Sequence, residues 1–140
     1  MARKITPQAV AMMEIFAARC ASEGLKYRKN AERASVLLNY NADNFDSLDF
    51  GFYFDDSGKS VALKVYSIMK FKKEQLPIAY EFCNAMNAKW RWVRFYVDSD
   101  DELAADLDAY ISKESAGDEC LELLHRAVSI VDDVMGELKS

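Results

Sequence analysis

The chain holds a single histidine, His125, and its three cysteines, Cys20, Cys83 and Cys120, lie far apart with no C-x-x-C among them. That spacing excludes zinc ribbons, thiol–disulfide motifs and a cysteine-stapled scaffold. Each thiol falls in an apolar, helix-like stretch, where a free cysteine behaves as a small buried hydrophobe. Positive charge is also short. Lys and Arg total 18 against 23 Asp and Glu, a net charge of −5, so no global field gathers phosphates, and nucleic acid and anionic membranes are not the expected partners. No run approaches the ~20 apolar residues of a membrane span. The start, Met1 to Pro7, leads straight into an amphipathic segment without an apolar signal region, and a cytoplasmic protein is expected.

What is present suffices for one domain over residues 1–140. The 51% hydrophobic and 12% aromatic content fills a core of that size without disulfides, metal or cofactor. Thr6 is a natural N-cap with Pro7 at the first helical position. Ala9, Met12, Met13, Phe16 and Cys20 then form one stripe. Gly24 supplies the left-handed stop, and Leu25 folds back onto Cys20 in a Schellman-type contact. Lys26 to Arg33 is polar and aperiodic and reads as a connection.

From Ser35 the period changes to two. Val36, Leu38 and Tyr40 mark one strand, and Leu48, Phe50, Phe52 and Phe54 the next. A hairpin turn at Asp55-Asp56-Ser57-Gly58-Lys59 leads to a third through Val61, Leu63, Val65, Met69 and Phe71, completing an antiparallel meander. Helical spacing returns over Glu74 to Asn87, with Ile78, Phe82 and Met86 on a stripe beside Ala79 and Cys83. Pro77 belongs in its first turn, and Asn87 suits a left-handed cap. Trp90 to Val97 is aromatic and β-branched, hence a strand, ending in an acidic turn at Asp98–Glu102. Glu102 to Ile111 alternates as a strand should, although its Ala, Leu and Glu content favours helix; the tight turn before it makes it a hairpin partner for the Trp90 strand. Leu121, Leu124, Val128, Val131, Met135 and Leu138 mark a long final helix. The fold class is α+β, in the order α-β-β-β-α-β-β-α around an antiparallel five-stranded sheet.

That order, the stretch Phe50-Gly51-Phe52-Tyr53-Phe54-Asp55-Asp56, the pair Asn84-Ala85-Met86-Asn87 and the stretch Val93-Arg94-Phe95-Tyr96-Val97-Asp98 together resemble the YbjN family, from about Pro7 to Leu138. The resemblance implies a fold like that of type III secretion chaperones. It also implies a regulatory or chaperone-like role with no known catalytic residues.

The sheet itself suggests where a partner binds. Phe50, Phe52, Phe54, Leu63 and Val65 suit a face packed under helices. If Val93, Phe95 and Val97 share it, the opposite face receives Trp90, Trp92, Arg94 and Tyr96 together with Tyr53, Lys64 and Tyr66, and then Asp106, Asp108 and Tyr110 from the last strand. Aromatic residues with an arginine are what interface centres favour. A protein partner or a second copy is expected on Tyr53, Tyr66, Trp90, Trp92, Arg94 and Tyr96, unless the final helix folds back over them. Aromatic rings also line small-ligand surfaces, which makes a ligand sensor the alternative. The acidic turns lack calcium-loop spacing and read as turn chemistry, so no metal is expected. Gly58-Lys59-Ser60 lacks the upstream glycine and the helix of a phosphate loop. The basic clusters Lys26, Arg28, Lys29, Arg33 and Lys70, Lys72, Lys73 read as solvated surface. No acid–base or nucleophile constellation is apparent, and an enzyme is not expected.

Overall fold

A computed structural model describes residues 4–140; Met1 to Arg3, part of the start on which the expectation of no apolar signal region rests, lie outside the described residues. The elements are α1 (Pro7–Ser22), β1 (Arg28–Asn30), β2 (Ser35–Tyr40), β3 (Leu48–Phe54), β4 (Ser60–Lys70), a single 3₁₀ turn at Lys73–Gln75 leading into α2 (Leu76–Lys89), β5 (Arg94–Val97), β6 (Glu102–Tyr110) and α3 (Ala116–Lys139). The sheet is antiparallel throughout, in the order β1-β2-β3-β4-β6-β5.

The local punctuation behaves as expected. Thr6 Oγ1 accepts from the Ala9 N–H at 3.1 Å, and its hydroxyl donates to the Asp56 carbonyl at 2.7 Å, tying the helix start to the β3–β4 hairpin. At the other end Gly24 sits at φ +72°, with Gly24 N–H donating to Ala21 and Leu25 N–H to Cys20, which is the Schellman pattern. Pro77 occupies the first turn of α2, where its missing N–H costs no helical bond.

Glu102–Tyr110 is a strand, flanked by β4 on one side and β5 on the other. Its neighbours supply ladder bonds on both edges, and this outweighs the helix propensity of its Ala and Leu residues. Three expectations need correction. The sheet has six strands, not five, because Arg28–Asn30, within the stretch read as a connection, pairs with Leu37–Ser35. All three residues of β1 are exposed, so no hydrophobic alternation betrays the strand; it exists through backbone pairing alone. In α2 the buried stripe is Ala79, Cys83 and Met86, whereas Ile78 is 71% exposed. Asn87 lies inside that helix and does not cap it in a left-handed conformation.

The core forms between one sheet face and the pair α1 and α3. Phe16 of α1 sits 4.5 Å, centroid to centroid, from Phe52 and 6.4 Å from Phe54. Phe50, Phe52, Phe54, Leu63, Val65, Phe95, Leu103 and Leu107 face the same cluster. Burying an aromatic or aliphatic side chain of this size contributes about 1.5–3 kcal/mol, so these strands and the two helices stabilise one another. Arg19 of α1 pairs with Asp118 of α3 at 2.8 Å, and Gly117 lets that arginine lie close. A bulge between Val65 and Met69, with Ser67 at φ +56°, shifts the register of β4 against β6.

Candidate functional site

The strand register fixes what the opposite face presents. Arg28, Leu37, Gly51, Lys64, Asp106 and Arg94 form one row across all six strands. Beside it lie Tyr53, Ala62 and Asp108, and the face continues to Tyr66, Tyr96 and Tyr110. Tyr66 is 45% exposed and Tyr110 89%. Such large aromatic area in water is a burden that a buried interface would relieve.

Two contacts shape this face. A Cβ built on Gly51 would stand 2.9 Å from Tyr53 Cε2, so the Tyr53 ring reaches over Gly51 and would have to shift to admit a side chain there. Open hollows of about 570 Å³ and 270 Å³ flank it. The first is bounded by Ala62, Lys64, Asp108 and Tyr110, the second by Leu37, Asp49, Lys64 and Tyr66. On the other side of the row, Arg94 grips Asp106 with two hydrogen bonds, Nε to Oδ1 at 3.0 Å and Nη2 to Oδ2 at 2.7 Å. The Asp106 side chain is 9% exposed and that of Arg94 69%, so the guanidinium acts as the cover. The bond to Asp106 pushes the Arg94 guanidinium up, while burial pushes up the phenols of Tyr53 and Tyr96. Both phenols are therefore held in the protonated form at neutral pH.

Tyr53, Tyr66, Arg94 and Tyr96 therefore share a face as expected, but Trp90 and Trp92 do not join them. Trp90 caps α2, its N–H donating to the Met86 carbonyl at 2.8 Å. Trp92 has φ +78°, and the Val93 N–H donates back to the Arg91 carbonyl at 2.9 Å. This γ-turn breaks the alternation, and β5 starts only at Arg94. The two indoles instead border a cleft against His125 and Arg126 of α3. A γ-turn answers to tertiary demand, and nothing in the local residue pattern announces it.

The remaining candidates fall into place. Asp98 Oδ1 accepts from the N–H groups of Asp100 and Glu102 at 2.9 and 3.1 Å, the turn chemistry expected of it. Carboxylate oxygens of Asp98, Asp100 and Glu102 lie within 4.8 Å of one another. Lys29 pairs with Glu14 at 2.9 Å and Lys73 with Asp101 at 2.7 Å. All three cysteines are free and buried; burial pushes the Cys20 thiol up to about 11 and raises Cys83 and Cys120 as well. A thiol acts as a nucleophile when ionised, and these are held protonated, while His125 lines the Trp cleft. No helix among the described residues is long and apolar enough to cross a membrane.

Comparison with known proteins agrees with this architecture. No curated protein matches the chain. Among solved structures it is similar to the crystal structure of YbjN from E. coli, with 10% identity over 90% of this chain and 93% of that one and a TM-score of 0.65. It is also similar to the type III secretion chaperone SycH of Yersinia pestis in complex with a stable fragment of YscM2. There the identity is 13%, the coverage 88% of this chain and 98% of that one, and the TM-score 0.53. Both likenesses show the fold. The sequence model of the YbjN family, described as "putative bacterial sensory transduction regulator", matches residues 20–139. The chain belongs to the YbjN family.

Proposed function

We propose that this protein is a non-enzymatic binding module, a regulator or chaperone-like adaptor, that takes a protein partner or a second copy of itself on the open sheet face. The observation that carries the reading is the exposure of Tyr66 and Tyr110 beside Arg94 and Tyr96 on one side of the sheet, while α1 and α3 pack on the other. Aromatic rings and arginine supply most of the binding energy at protein interfaces. The SycH structure supports the reading, since a chain of similar fold there carries a protein fragment. Three free, buried thiols suit a reducing cytoplasm.

The test compares the wild type with Tyr66→Lys/Tyr110→Lys in affinity capture from the native cell, read by mass spectrometry, with light scattering for self-association. A reproducible partner or dimer that the variant loses, at unchanged melting temperature, is expected. Capture of nothing reproducible by a monomeric wild type, or of the same proteins by both forms, sinks the idea. The hollows beside Tyr53 favour a second reading, a small-ligand sensor. A tight ligand would then raise the melting temperature by mass action in a thermal-shift panel.

A further inference from the structure

The α2–β5 connection builds a second surface, separate from the sheet face. Trp92, at φ +78° within its γ-turn, adopts a backbone conformation that is rare and strained for a residue with a side chain. Strain of this kind persists at binding and switch sites because the surroundings over-determine it. Here it presents an indole that is 56% exposed. Guanidinium groups flank that ring, Arg126 at 4.7 Å and Arg91 at 5.3 Å from its centroid, and Lys89 stands 5.6 Å from Trp90. The cleft between them measures about 530 Å³, with Ile130 as an apolar wall and no carboxylate in its lining. Glu122 pairs with Arg126 and Glu137 with Lys89, but among the described residues Arg91 makes no ion pair. This concentration of cations runs against the chain's net charge of −5.

We propose that this cleft docks an acidic segment of a partner protein, one in which a carboxylate side chain stands beside an apolar or aromatic one. Arg91 takes the carboxylate, and Trp92 and Ile130 take the apolar neighbour. A bare anion would leave the indole and Ile130 unused. A long polyanion such as nucleic acid would meet the repulsion of the rest of the molecule.

Trp90 and Trp92 are the two tryptophans of the chain, so indole emission reports directly on the cleft. The full chain is titrated with a short synthetic peptide of alternating aspartate and phenylalanine. An alternating lysine–phenylalanine peptide and sodium acetate serve as comparisons. A saturable change is expected with the acidic peptide, weakening as salt is raised. Arg91→Glu, a substitution at an exposed residue, weakens it by about tenfold or more, whereas Tyr66→Lys leaves it unchanged. Arg126→Gln serves as the second variant should Arg91→Glu lose its native circular dichroism. No saturation by the acidic peptide, an equal response to the lysine peptide, saturation by acetate at matched concentration, or undiminished affinity in the folded variant would each overturn the proposal. Failure of the sheet-face reading leaves this test intact, because its readout lies at the other surface.

Discussion

The side-chain amide of Asn87 stands in for a missing strand beside Phe95: Nδ2 donates to the Phe95 carbonyl at 2.9 Å and Oδ1 accepts from the Phe95 N–H at 2.7 Å. β5 lies at the edge of the sheet, and an unpaired edge invites pairing with another chain. Asn87→Ala leaves a donor and an acceptor on Phe95 unmade, at about 1–3 kcal/mol for each group that water cannot reach. Urea unfolding should show a lower midpoint at unchanged slope, and size-exclusion a concentration-dependent larger species. A variant as stable and as monodisperse as the wild type would deny Asn87 this role.

Gly51 and Tyr53 should prove coupled. In Gly51→Ala the new methyl displaces the Tyr53 ring, the movable end of a side chain, so stability changes by less than about 1 kcal/mol. The Tyr53 phenol becomes more accessible, which chemical iodination or quenching of its emission can follow. In the double variant Gly51→Ala/Tyr53→Ala the clash has no source, and the two single effects should fail to add. Strict additivity in a double-mutant cycle would contradict the contact.

Arg94→Met strips the buried Asp106 carboxylate of the two hydrogen bonds it accepts from Arg94 and should cost about 1–3 kcal/mol. Lys64, directly across β4 from Asp106, offers partial compensation. Arg94→Met/Asp106→Leu removes the stranded charge along with its partner and should recover most of the loss. Chemical denaturation of the three proteins decides the matter. A double variant as weak as Arg94→Met would place the cost in lost packing of the arginine stem instead.

Stability should fall in alkali. Cys20 is raised from the ordinary thiol value of 9.0 to about 11, chiefly by burial, and Cys83 and Cys120 move the same way for the same first cause. Above pH 9.0 the unfolded chain sheds thiol protons that the folded chain keeps. The stabilisation is thus complete below that point and is lost as pH climbs towards the folded values. Urea midpoints measured across this window should decline, and a thiol reagent should label the cysteines rapidly only in urea. A flat profile, or prompt labelling of the native chain, would count against burial as the cause.

How much of this could be read from the residues depended on how local the cause was. The Thr6-Pro7 start and Gly24-Leu25 stop of α1 need only their own neighbours, and both stand as expected. β6 was readable because period two survives over Leu103 to Ala109 despite helix-favouring residues. β1 was not, since Arg28, Lys29 and Asn30 are exposed on both faces and their pairing with β2 leaves no mark on composition. Within the candidate surface, Tyr53, Tyr66, Arg94 and Tyr96 follow from strand alternation alone. Trp90 and Trp92 escaped it, because the turn at Trp92 is imposed by how α2 must rejoin the sheet.

One sheet face builds most of the hydrophobic core, and the exposed residues of the other take little part in it. Tyr66, Asp108 and Tyr110 are exposed and can therefore change identity without unmaking the molecule, so the chemistry of this side is able to drift while the scaffold persists. On the proposed binding role, a single inherited framework can in this way be refitted to different clients, with folding and recognition assigned to opposite sides of the same strands.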